Sequence, residues 1–153
     1  MENSIDLYQV TEVELVYRSI VKPSLRPSVG SSSEAHKILF KNWNSDKLEL
    51  IEQFKVLLLN TYNKVLGIFE VSTGGVTGTI ADPKIIFSSA LKANATGIIL
   101  AHNHPSGNLQ PSTADINLTK KIVGAGELLD IKVLDHLIIT SESYYSFRDQ
   151  GLF

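Results

Sequence analysis

Hydrophobic and polar positions along the chain change period several times, and each change marks an element. Residues 10–17, VTEVELVY, are rich in β-branched and aromatic side chains and predict a strand, an edge strand given Glu12 and Glu14. KPSLRPSVGSSS at 22–33 is a loop by its prolines, glycine and serines. Ser31 and Glu34 have the spacing of a capping box, and Ala35, Ile38, Leu39 and Trp43 follow at helical intervals. Asn44, Ser45 and Asp46 end that helix. FKVLLL at 54–59 and KVLGIFEV at 64–71 flank a turn at 60–63 and predict a hairpin. STGGVTG at 72–78 reads as flexible and TIA at 79–81 as a short strand. Asp82 followed by Pro83 is the start of a helix that runs to about Ala93, with Asn94 as its stop.

The second half is more regular. GIILAH at 97–102 is a nearly unbroken apolar run, the pattern of a strand covered on both faces. A polar loop, 103–111, leads to Ser112 and a helix carrying Ile116, Leu118, Ile122 and Val123, which Gly124 and Gly126 are expected to shorten or bend. IKVLDHLIIT at 131–140 predicts a strand, and YYSFRDQGLF a short strand and a turn of helix. The predicted order β, α, β, β, α, β, α, β is that of an α/β sandwich with helices packed on a mixed sheet.

Composition narrows the chemistry. The 153 residues include no cysteine, which excludes thiolate-ligated zinc, iron–sulfur clusters and thiol catalysis. Any metal must be held by His, Asp and Glu. The net charge of −2 lacks the basic excess of a broad nucleic-acid surface. No apolar run approaches a membrane span, and MENSIDLYQV has neither the basic start nor the apolar stretch of a secretory signal, so a cytoplasmic location is expected.

The informative stretch is His102-Asn103-His104, seven residues, Ser112, two residues, Asp115. Side chains two apart on a strand share a face, so both imidazoles leave the strand end together. Asp115 lies in the first turn of the next helix and can fold back over that end. Two histidines and one carboxylate with an open fourth position are a common catalytic zinc arrangement. Ser112-x-x-Asp115 is equally the pattern of a capping box, and the hydroxyl can cap the helix while facing the metal. Other signatures fail. HExxH is absent, the deaminase pattern needs cysteines, Gly74, Gly75 and Gly78 form no phosphate loop, and the spelling H-N-H carries no nuclease meaning. The glycines instead make a turn or let the backbone pass close to the site.

His-x-His, seven residues, Ser-x-x-Asp resembles the JAMM motif of MPN/JAB-domain zinc metalloproteases. The wider text AHNHPSG…PSTADINLTKKI…DIKVLDHLII…SF…GL resembles the RadC-like JAB-domain family more closely, from about residue 50 to 153. Residues 1–49 then form an N-terminal strand, loop and helix extension of the same domain. The resemblance implies an MPN fold, a curved mixed sheet between helices related to the deaminase-like sandwiches. It implies one zinc ion on His102, His104 and Asp115, with water as fourth ligand. The family's distal glutamate matches Glu52 best and Glu49 next. Ser112 becomes the hydroxyl that helps bind the reacting oxygen. His136, in LDHLII, either orients a ligand beside the metal or is a core histidine bonded to backbone. Asn103 alternates away from the metal and anchors the loop, which Pro105 and Gly107 shape. His36, between Lys37 and Lys41, is expected to be solvated.

The implied activity is hydrolysis of an amide or isopeptide bond in a peptide or protein. Zinc would acidify a bound water to a pKa of about 7, and Glu52 would carry its proton to the leaving amine. Two alternatives come from other classes. The family carries a DNA-repair label, and its longer members have a helix-hairpin-helix region that 22–33 does not match. A DNA-associated module would bind phosphates through Lys37, Lys41, Lys120 and Lys121, and a metal-dependent nuclease would turn the same metal on phosphodiesters.

Overall fold

The computed structural model describes residues 7–75 and 78–153. After a 3₁₀ turn at Pro23–Leu25, the helices are α1 (Ser32–Lys41), α2 (Ser45–Leu48), α3 (Pro83–Lys92) and α4 (Thr113–Leu128). The strands are β1 (Gln53–Leu59), β2 (Val65–Thr73), β3 (Gly97–Asn103), β4 (Lys132–Ile139) and β5 (Tyr144–Ser146). They form one sheet in the order β2-β1-β3-β4-β5. The β3–β4 pair is parallel, joined through α4, and the other three pairs are antiparallel.

Alternation along the central strands supplies two cores. Phe54, Val56, Leu58, Ile98 and Leu100 face α3 and α4 and pack with Ile86, Phe87, Ala90 and Ile122. Leu57, Leu59, Ile99, Ala101, Leu137 and Ile139 face the other way, onto Ala35, Leu39, Trp43 and Leu48. Every residue of β1 and β3 is buried, as the apolar runs require. The predicted hairpin, the β3 and β4 strands and the Asp82 and Ser112 helix starts all form, and helices cover both faces of a mixed sheet.

Some local expectations are corrected. Residues 10–17 join no strand among the described residues, and Val10, Val13 and Leu15 are exposed. High β-propensity reflects packing against neighbours, and most of these side chains are exposed; a side-chain contact ties the segment to the sheet, the Tyr17 hydroxyl donating to the Leu66 carbonyl of the edge strand β2. Residues 79–81 form no strand either, and the Thr79 hydroxyl donates to Ser72 Oγ at 2.9 Å. Of the segment expected to be flexible, 72–73 complete β2, and 76 and 77 lie outside the described residues. α1 ends at Lys41 with Asn42 as its cap, before the predicted stop, and the Asn44 side chain instead accepts from Asp46 N and caps α2. At α1 the Ser31 oxygen accepts from Glu34 N, but the Glu34 carboxylate reaches Gly30 N at 2.6 Å rather than closing the box on Ser31.

Gly124 and Gly126 do not shorten α4, which runs through both to Leu128. Gly126 serves packing: a Cβ there would lie 2.3 Å from the Ile131 carbonyl oxygen. After β5 the chain continues in turns rather than a turn of helix. His36 is half-buried, stacked on Tyr144 at 4.4 Å between ring centres, so its ring is part of the packing instead of simply solvated. Among the described residues, no helix is long and apolar enough to cross a membrane.

Candidate metal centre

The site lies where β3 ends and α4 begins. His102 closes the column Ile98, Leu100, His102 on the α3/α4 face, and His104 follows on the same side, with 4.8 Å between ring centres. The His104 amide donates to the Ile139 carbonyl at 3.0 Å, continuing the pairing with β4 past the end of β3. Gly107, at φ +82°, turns the loop in a conformation that side chains disfavour. That turn brings the Asn108 carbonyl oxygen to 2.6 Å from His104 Nδ1. A carbonyl only accepts, so Nδ1 carries a proton, and whenever the ring is neutral Nε2 is a bare lone pair.

Asp115 arrives by helix capping. Ser112 Oγ accepts from Asp115 N at 3.0 Å, and Ser112 N donates to Asp115 Oδ2 at 2.7 Å, a closed capping box. The metal-site and capping readings of Ser112-x-x-Asp115 therefore coexist: the cap aims the carboxylate. His102 Nε2 and His104 Nε2 stand 3.0 Å apart, His102 Nε2 is 3.4 Å from Asp115 Oδ1, and His104 Nε2 is 3.7 Å from Asp115 Oδ2. Tetrahedral ligands at zinc distances stand about 3.3–3.4 Å from one another. His102, His104 and Asp115 thus could hold a single metal ion, each offering one ligand atom. The crowding of acceptors has an electrostatic counterpart. Burial alone would raise the Asp115 pKa, but its closeness to both histidines, with the bond from the Ser112 amide, holds it well below the usual carboxylate range. Burial alone would lower that of His104, but Asp115 and the Asn108 carbonyl raise it.

Glu52 reaches the site through strand register. Phe54 pairs with His102 across the antiparallel β1–β3 ladder, so Glu52, two residues earlier, comes level with His104, two residues later. Its backbone is clamped to the glycine loop by Glu52 N to Gly75 O at 3.0 Å and Gly74 N to Glu52 O at 2.8 Å. A Cβ at Gly74 would lie 2.2 Å from the Gly78 carbonyl oxygen, so the backbone does pass closely there. Burial raises the Glu52 pKa, against the lowering influence of His102 and His104. Glu49 is exposed on the rim of the same groove. That groove, about 640 Å³, is lined by Glu49, Glu52, Thr79, His104, Ser112 and Asp115 among others, with no lysine or arginine among them.

Two neighbours of the triad have clear tasks. Asn103 points to the opposite face, as alternation requires, but the segment it anchors is not its own loop. Its Nδ2 donates to the carbonyls of Leu48 and Ile51, at 2.8 and 2.9 Å, and its Oδ1 accepts from Gln53 N at 2.7 Å. Asn103 therefore holds the segment that carries Glu52. His136 is fully buried and bonds to side chains, not backbone: its Nε2 lies 2.8 Å from His102 Nδ1 and its Nδ1 2.6 Å from Thr119 Oγ1. Burial pushes its pKa well below the usual histidine value. Thr119 was not among the sequence candidates. Its spacing of four from Asp115, which places both on one helix face, is the signal that marks it.

Fold and cluster define an α/β sandwich with a His-x-His…Asp group that could hold a metal ion at the end of a central strand. The chain belongs to the RadC-like JAB domain family, whose sequence model matches residues 29–152. The five-stranded mixed sheet flanked by helices is consistent with the JAB/MPN fold. A UPF0758 protein of Flavobacterium johnsoniae is 57% identical over 102 residues, 67% of this chain and 44% of that protein. One from Thermosynechococcus vestitus is 50% identical over 98 residues, 64% of this chain and 39% of its own length. One from Desulfitobacterium hafniense is 37% identical over 142 residues, 92% of this chain and 61% of its own. The chain thus spans less than two-thirds of the length of each of these relatives.

Proposed function

We propose that this domain is a zinc-dependent hydrolase of amide bonds in peptides or isopeptides. The observation that carries the reading is the convergence of His102, His104 and Asp115, 3.0–3.7 Å apart, beside the Glu52 carboxylate in one groove. A zinc ion held there supplies Lewis acidity and an activated water at neutral pH. Glu52 takes a proton from the attacking water and returns it to the leaving nitrogen as the C–N bond breaks, giving a carboxylic acid and an amine. A carboxylate whose pKa is raised by burial suits both transfers. The cap uses a lone pair of Ser112 Oγ and leaves its O–H to donate to the oxyanion.

The groove lining supports an amide substrate over a phosphodiester. Glu49, Glu52 and Asp115 are its charged residues besides His104, and no lysine or arginine faces phosphate. The test is a peptide and isopeptide screen with the zinc-loaded chain, with Glu52→Gln as control. Turnover is expected to fall about 10²–10⁴-fold in that variant with zinc retained. Undiminished hydrolysis in Glu52→Gln would overturn the assignment of the base. Metal-dependent cleavage of plasmid DNA, without peptide cleavage, would transfer the site to the nuclease reading.

A further inference from the structure

We propose that Thr119 and His136 are positioning residues that fix the tautomer of His102, so that its Nε2 faces the metal as a lone pair. The inference rests on the reading that His102, His104 and Asp115 hold a metal ion, and it concerns how the protein prepares one of those ligands.

The order of protons follows from an acceptor at the far end. Thr119 Oγ1 lies 2.7 Å from the backbone carbonyl oxygen of Asp115, one turn back along α4. A carbonyl cannot donate, so the hydroxyl donates there and presents a lone pair to His136 Nδ1, 2.6 Å away. His136 Nδ1 must then hold the ring's proton. At 0% exposure the ring is neutral, and a neutral imidazole has only one N–H, so His136 Nε2 is bare. The 2.8 Å contact with His102 Nδ1 then requires His102 to donate from Nδ1. What remains on His102 is an unprotonated Nε2, the atom 3.0 Å from His104 Nε2 and 3.4 Å from Asp115 Oδ1.

The opposite order would place an N–H on His102 Nε2, inside the ligand cluster, and set the Thr119 oxygen against the Asp115 carbonyl with no proton between them. Water is no substitute along the path, because Thr119 is 3% and His102 1% exposed. Ring planes are held separately, His136 by stacking on Phe147 at 4.5 Å between centres and His102 on Phe54 at 5.8 Å. Packing sets the orientation and the hydroxyl sets the proton. The path both begins and ends at Asp115: its carbonyl orders the protons, and its carboxylate is the third ligand.

The experiment measures zinc affinity of the full chain by competition with a chromophoric chelator, for wild type, Thr119→Val and Thr119→Ser. Valine keeps the volume and removes the hydroxyl; serine keeps the hydroxyl and opens a small cavity. The relay predicts about 10–100-fold weaker zinc binding for valine, and serine within about threefold of wild type. A packing role predicts the reverse order. Side-chain ¹⁵N–¹H correlation spectra of zinc-loaded wild type give a readout that needs no variant to fold: His136 and His102 should both carry their proton on Nδ1. A proton on His136 Nε2, or valine binding zinc as tightly as wild type, overturns the relay while leaving the metal centre intact. Absence of zinc binding by wild type overturns the metal reading and the relay together.

Discussion

The two faces of the central strand β3 are built to different ends. On one side Ile98 and Leu100 lead to His102, and the apolar column ends in a buried imidazole bonded to a second one. On the other side Ile99 and Ala101 lead to Asn103, which spends all its hydrogen bonds on backbone of the segment 48–53. One residue of displacement separates a group that can hold a metal from a group that holds a loop. The difference teaches that a buried polar side chain has to be read by its partners. Backbone partners mark Asn103 as architecture; facing lone pairs mark His102 as chemistry.

The comparison can be broken at either face. The largest loss of stability is expected from Leu39→Ala. Leu39 is fully buried in the core of the Asn103 side, so its truncation should cost about 2–5 kcal/mol. Chemical denaturation measures that cost. Zinc affinity should stay within about twofold, since the two sites share no partners. A large loss of zinc binding would mean that the faces are not independent.

Asp115→Ala comes next and should do the converse. Removing a ligand should weaken zinc binding by more than about 100-fold, beyond the usual effect of a supporting residue. Stability of the metal-free protein should fall by only about 1 kcal/mol, because the Ser112 cap stays. Isothermal titration with zinc, alongside thermal unfolding, separates the two.

Asn103→Ala tests whether architecture on one face serves chemistry on the other. Gln53 N and the carbonyls of Leu48 and Ile51 lose their partner, at an expected cost of about 2 kcal/mol. Zinc affinity should hold, but Glu52 sits within the freed segment. Misplacing a catalytic group by about 1 Å can cost about 10²-fold in rate, so turnover should fall by that order while KM changes little. Unchanged turnover would show that the clamp of Glu52 onto Gly74 and Gly75 is sufficient alone.

These effects also separate what was legible in the sequence from what was not. His102, His104 and Asp115 are legible because their convergence is local: strand alternation aligns the histidines and one helix cap aims the carboxylate. Glu52 stands 50 residues before His102, and no local pattern joins them. The Phe54–His102 register does so, and a register is a property of the folded sheet; only the family resemblance named that residue beforehand. The 10–17 segment fails for the same reason in reverse, since β-propensity names no partner. Thr119 carries only a weak signal in the sequence, its spacing of four from Asp115, and that signal gains meaning when β4 brings His136 against it. Helix α2, with four residues, is shorter than any window in which helical period can be read.

Ser112 gives the smallest expected stability change and the sharpest discrimination, because it belongs to both sides of the comparison. Its oxygen caps α4, and its O–H is free for the groove. Alanine and glycine delete the same hydroxyl but differ as caps: Ser112→Ala should cost about 1 kcal/mol in stability, and Ser112→Gly only a few tenths. If the hydroxyl stabilises an oxyanion, both variants should lose turnover equally, by about 10²–10³-fold, despite their unequal stabilities. If Ser112 only caps the helix and aims Asp115, turnover should track stability instead, with glycine close to wild type. Paired unfolding curves and turnover numbers for the two variants therefore decide whether the helix start is scaffold alone or also part of the reaction.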